Sequence, residues 1–355
     1  RRSPRSSTCA IAKRSHCAGD PAGSNPPTVH WPASLVSDTG RRKSNPAIAP
    51  FLDSELVRRG LARRKILDQV FVIVGLIVML ACLAILAVLF IDLVRDGSER
   101  FGWDFFTNFA SRRAERAGIL AAWVGTSLIM IVTALCAVPV GVAAAIYLEE
   151  YAPKNWFTAI IEINVTNLAG VPSIVYGLLA LGLFVYQFDL GQSIAAAGLT
   201  LALLILPIVI VATRESIRSV PKAIREAAYG LGATRWEVTK DHVLPYSTGG
   251  ILTGMILGLS RAIGETAPII TIGALSFIAF LPGSPFQSEF PFISFGWLND
   301  PFTAMPIQMF NWVSRPDPAS QANAAAAGAI LLGMTLLMNG LAIWIRYRFR
   351  KKINW

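Results

Sequence analysis

Six stretches of this 355-residue sequence are apolar for at least about 20 residues, the length a helix needs to cross a hydrocarbon core. They run approximately from Val70 to Val94, Ile119 to Leu148, Ile163 to Phe188, Gly191 to Ala212, Gly249 to Phe280 and Ala324 to Ile345. A backbone in lipid has no water to bond to, so these spans must be helices and the chain an all-α integral membrane protein. Composition agrees: with 54% hydrophobic residues, 15% charged residues and a mean hydropathy of +0.52, a water-facing surface could not be covered in the ordinary way. A net charge of +10 is compatible with nucleic-acid binding, but 13 of the 32 Lys and Arg and only 4 of the 22 acids lie in residues 1–65, ahead of the first apolar run. Basic residues there orient membrane insertion, and no basic patch is interleaved with aromatics, so nucleic-acid binding is not expected.

The basic flanks RRGLARRK before the first span and RYRFRKK after the last place both termini on the cytosolic side, which six crossings allow. Residues 1–55 are rich in Arg, Ser and Pro without apolar periodicity and are expected to be a disordered basic leader, followed by a transmembrane domain over 56–355. An organelle transit peptide has similar composition; a mis-set start or dispensable tail is the simpler reading. The linker Arg95 to Gly118 and the long loop from Leu281 to about Gln321 fall outside, and the latter is rich in Pro, Phe and Trp, as an interface-seeking segment would be. Cys9, Cys17, Cys82 and Cys136 show no metal-ligand spacing. Pro139, Pro172, Pro207 and Pro268 each remove a helical hydrogen bond and are expected to kink or break their spans. The fifth span, about 32 residues long, exceeds the membrane thickness and must tilt, protrude or break, with Pro268 the expected place.

Between the fourth and fifth spans lies REAAYGLGATRWEVTKDHVLP, Arg225 to Pro245, within a cytosolic loop over 213–247. Helix-forming EAAY, the turn-permitting Gly230 and Gly232, and a second short helix before Pro245 predict a helical hairpin with small residues outward and no apolar face of its own. Such an element suits docking of a soluble partner; an ordinary loop obeying the positive-inside bias is the plainer alternative.

This stretch resembles the permease subunits of bacterial ABC importers, whose EAA, three residues, Gly and closing LP are matched by Glu226, Ala227, Ala228, Gly232, Leu244 and Pro245; His242 departs from the aliphatic residue usual there. LAGVPSIVYGLLAL, Leu168 to Leu181, and LSRAIGETAPII, Leu259 to Ile270, are similar to phosphate-importer permeases of the PstA type. The resemblance covers about residue 60 to the end. It implies a type I ABC importer permease fold of six transmembrane helices in the bacterial inner membrane, with the hairpin as the coupling helix that docks on an ATPase. It also implies a heterodimer with a second permease, PstC, two copies of an ATPase, PstB, and an external phosphate-binding protein, PstS.

Ionised residues deep in a membrane tend to mark a pathway. Arg261 and Glu265 stand i, i+4 on the fifth span, and Arg261 lies about 20 Å above Thr248 in a core of about 30 Å. An arginine fork can hold an oxyanion while Glu265 weakens that hold enough for release; a structural ion pair is the other reading. In the family this Arg and Glu are implicated in transport. Thr266 and Ser260 could donate to the anion or bond back to their own helix. Arg214, at the cytosolic end of the fourth span, reads as an orientation anchor paired with Glu215 or as part of an inner exit. Asn164 and Asn167 read as packing or capping residues.

No GxxxxGK[ST] cradle, HExxH or GxSxG occurs, so this chain is expected to bind no cofactor and catalyse nothing itself, with ATP and Mg²⁺ held by the partner subunit. Phosphate import is the leading expectation. Sulfate or molybdate import, a proton-coupled secondary transporter using Arg261 and Glu265, and a signalling scaffold are the alternatives.

Overall fold

The computed structural model describes residues 55–284 and 294–350, so the expected leader lies outside the described residues apart from Glu55, as does part of the long outer loop. The chain divides into two compact units, Arg1–Ile77 and Val78–Trp355. The described part of the first is the beginning of a long helix, α1 (Glu55–Asp96), whose apolar side chains from Ile66 to Leu89 are exposed, as suits contact with lipid.

In the second unit α1 ends at Asp96 and short turns lead to α2 (Leu120–Ile146), which loosens into a wider helical turn at Tyr147–Tyr151. Next come α3 (Trp156–Leu168), α4 (Ser173–Ala180, wound on to Gln187) and α5 (Ile194–Arg218). A short helix α6 (Lys222–Gly230) precedes α7 (Arg235–Ile263); α8 (Ala267–Ile272), α9 (Met305–Val313) and α10 (Pro318–Arg350) complete the chain. No strand occurs among the described residues. Among the described residues five helices are long and apolar enough to cross a membrane, and the pair α3 and α4, bent by 107°, makes a sixth if counted as one span.

That bend is where the third span breaks, as its proline leads one to expect. Ala169–Gly170–Val171–Pro172 interrupts it because Pro172 lacks an N–H and disfavours helical backbone at Val171. The fifth span breaks as expected from its length, at Gly264–Thr266, and Pro268 falls in the first turn of α8, where its missing N–H costs nothing. Pro139 and Pro207, by contrast, sit inside uninterrupted α2 and α5; neighbouring helices in a membrane tolerate such gaps in the ladder.

The core lies where α2, α5 and α7 pack, around Ile129, Leu201, Ile205 and Ala262, capped by Trp297, Phe302 and Ile307. Small residues set the approach: a Cβ on Gly198 would come 2.6 Å from Val132 Cβ, the close backbone contact membrane helices use in place of a hydrophobic drive. On the side of the Arg95–Gly118 linker, Arg100 is engaged through all three nitrogens, donating to Asn323 Oδ1 at 2.6 Å and to the carbonyls of Ala114, Glu115 and Ala117. Its charge there serves to fix the linker to the start of α10.

Candidate functional site

Arg261 stands in the last turn of α7, where buried Ala262 and Ile263 anchor the opposite face in the core. The guanidinium therefore faces outward, 42% exposed, and its Nε donates to Glu265 Oε1 at 3.2 Å. Glu265, 18% exposed, lies in the break after α7, its backbone N–H bonded to Ala262 O. One of five guanidinium N–H donors is engaged by that bond, which leaves a charged fork toward whatever lies beside the subunit. Thr266 follows, half-buried, without capping α8. Ser260 bonds back to Ile256 O at 2.6 Å and also to Asn339 Oδ1 of α10, so its hydroxyl braces two helices.

The fold brings the two motif segments together. α8 packs on α4, and at Gly177 the contact is so close that an added Cβ would lie 2.6 Å from Pro268 Cα and collide with the Thr271 hydroxyl. Tyr176, buried beside it, donates to Leu168 O at 2.8 Å and so closes the bend between α3 and α4.

Arg214 is placed differently from the expected pairing with Glu215. Its side chain is only 8% exposed and its Nη2 meets Glu162 Oε1 of α3 at 2.7 Å and Glu149 Oε2 at 3.4 Å. Glu215 is turned to Arg218 at 3.3 Å, and Arg218 also reaches Glu149 at 3.0 Å. The reason is helical geometry: consecutive residues point about 100° apart, so Arg214 faces the bundle while Glu215 faces outward. A cavity of about 410 Å³ opens here, lined by Glu162, Thr166, Asn167, Arg214, Glu215 and Arg218. Asn167 thus lines a polar cavity, while Asn164 bonds to Ile160 O of its own helix.

The hairpin forms as α6, a turn at Leu231–Ala233 and the start of α7. Gly232 takes φ +86°, backbone that a side chain would strain, and a Thr234–Glu237 capping box starts α7. Contrary to the expectation, the hairpin has an apolar face: Ala228, Val238 and Val243 close on Ile217 and Val220. Ala228 is therefore inside, and the outward surface is Glu226, Ala227, Tyr229, Leu231 and Trp236, with Leu231 90% exposed. Leu244 and Pro245 are half-buried within α7, which runs unbroken from Arg235 to Ile263 through a wider turn at Val238–Val243 that accommodates Pro245. Arg225 ties the hairpin down, donating to Glu150 Oε1 at 2.9 Å and to the carbonyls of Ile217 and Val220.

Residues 137–354 match the model of the family described as binding-protein-dependent transport system inner membrane component. The chain belongs to this family. It is a membrane component of a transport system, and the matched region holds α3 to α9, the hairpin and both arginine clusters. Among relatives of this permease, the probable ABC transporter permease protein YqgI of Bacillus subtilis is 30% identical over 76% of this chain and 92% of its own length. The phosphate transport system permease protein PstA of Yersinia pestis is 30% identical over 86% of this chain and 96% of its own. That of Mycobacterium leprae is 40% identical over 44% of this chain and 51% of its own. An inward-facing structure of the MetNI methionine ABC transporter shares the fold of type I ABC importer permeases, with a TM-score of 0.51 and 13% identity over 65% of this chain and 95% of that one.

Glu149, Glu150, Glu162, Arg218 and Arg225 were not singled out from the sequence. The permease joins them, and Arg214, across 52 to 75 residues, a separation that no local spacing in the sequence signals.

Proposed function

We propose that this chain is the permease subunit of an ATP-driven ABC importer of inorganic phosphate in the bacterial inner membrane, with both termini cytosolic. The observation that carries the reading is the Arg261–Glu265 pair at the end of a single helix whose other end is the hairpin. From Arg235 to Arg261 that helix runs about 40 Å, long enough to link a docking surface at one membrane face to a charge deep inside. Arg261 would hold the oxyanion through paired, charge-assisted hydrogen bonds, Glu265 would orient the guanidinium and ease release, and Thr266 would line the path. Relatives named as phosphate transport permeases support phosphate over sulfate or molybdate.

The half-exposed Arg261 needs a protein surface opposite it in the membrane, which a second permease of the PstC type would supply. Two ATPase subunits of the PstB type would bind ATP and Mg²⁺ and seat on Glu226, Ala227, Tyr229 and Leu231, while Ala228, Gly232, Leu244 and Pro245 keep the hairpin in shape. A binding protein of the PstS type would deliver phosphate from outside. Co-reconstitution in proteoliposomes tests this: phosphate uptake should require ATP and vanish when the ATPase is inactivated, and uptake driven by a proton gradient without the ATPase would contradict it. Leu231→Asp should reduce co-purified ATPase about tenfold while leaving the permease folded, because Leu231 packs on little within the chain; normal ATPase recovery would remove the hairpin from the docking surface.

A further inference from the structure

Three observations coincide at Arg214. The guanidinium is nine-tenths buried, yet its Nε has no hydrogen-bond partner. Its Nη2 is held by Glu162, a carboxylate on another helix that is itself 36% exposed. Beside the pair lies the 410 Å³ cavity, roomy for a small hydrated anion given that water occupies about 30 Å³ per molecule. We infer that Arg214 forms a second oxyanion subsite at the hairpin end of the permease, through which the transported anion leaves, and that the Glu162 carboxylate occupies it in this conformation as a built-in counter-anion.

This site deepens, and rests on, the reading of the chain as a phosphate permease. Carboxylate and phosphate compete for the same Nη2 donor, so the departing anion reaches Arg214 when Glu162 withdraws, and the return of Glu162 expels it. Arg218, beside the cavity and half-exposed, extends the positive lining outward, as do Lys154 and Lys222 in an adjoining cavity of about 480 Å³. The facing acids are Glu149, which holds Arg214 weakly at 3.4 Å and Arg218 at 3.0 Å, and Glu215, which holds Arg218. They keep the lining near neutral, which disfavours trapping. The bend supplies the link between subsites: α3 carries Glu162, and α4, across the 107° turn, packs on α8 just beyond Glu265.

The test is equilibrium binding of radiolabelled inorganic phosphate to the assembled membrane complex in nanodiscs. Glu162→Gln should bind phosphate about tenfold more tightly than wild type, Glu162→Asp no more than about threefold, and Glu162→Gln with Arg214→Gln should lose the gain. Phosphate should also raise the unfolding temperature of Glu162→Gln above any shift it gives wild type, and should restore the assembly of that variant if it assembles poorly. Phosphate that changes neither affinity nor stability in Glu162→Gln overturns the subsite. Equal binding in phosphatidylcholine discs with and without phosphatidylglycerol supports a site for free phosphate. Loss of binding with phosphatidylglycerol marks a lipid-headgroup site and overturns the release role. Uptake that is indifferent to Arg261→Gln would sink the parent reading instead, which leaves the two failures distinguishable.

Discussion

The permease carries two arginine–glutamate pairs built in opposite ways. Arg261 and Glu265 belong to one helix end, four residues apart, with the arginine facing out of the subunit. Arg214 and Glu162 belong to different helices, 52 residues apart in sequence, with the arginine enclosed. The exposed pair leaves guanidinium donors unengaged within the subunit and, being solvated, contributes little to the fold. The enclosed pair fixes α3 against α5 and must be opened before anything else can use its arginine.

The sharpest way to break this contrast is to remove one member of each pair. Arg214→Leu strands Glu162, while Glu149 keeps Arg218, and should cost about 3 kcal/mol of stability, seen as a lowered denaturation midpoint of the detergent-solubilised complex. Replacing Arg214 and Glu162 together by Leu should recover much of that loss, because neither charge is then stranded. Arg261→Leu should change stability by no more than about 1 kcal/mol on the same assay. Equal losses at the two sites would erase the distinction. A smaller effect, about 1–3 kcal/mol, is expected from Gly177→Ala, since the methyl group must push Pro268 and Thr271 away from α4 and disturb the break that holds Glu265. Smallest is Arg218→Gln: half-exposed and screened by solvent, it should shift the midpoint by less than about 1 kcal/mol, and a larger shift would move Arg218 into the structural class with Arg214.

The contrast also explains what could be read from the sequence. Arg261 and Glu265 were legible because their pairing follows from helical spacing within one apolar run. The hairpin was legible from Gly232, Pro245 and the EAA pattern. Glu162 was not, since its partner is chosen by how far α3 folds back before Pro172, and a proline marks a bend without giving its angle. The same blindness placed Ala228 outside: a small residue suits close approach by any surface, and the surface that takes it is Val238 and Val243 of its own hairpin. Pro139 and Pro207 show the converse, a local rule overridden by neighbouring helices.

Phosphate uptake by Arg261→Gln, with membrane abundance measured in parallel, tests the central claim most directly. The pathway role predicts normal abundance and uptake reduced about a hundredfold, the loss expected for charge-assisted hydrogen bonds to the anion. Uptake at the wild-type rate from normally abundant protein would contradict it.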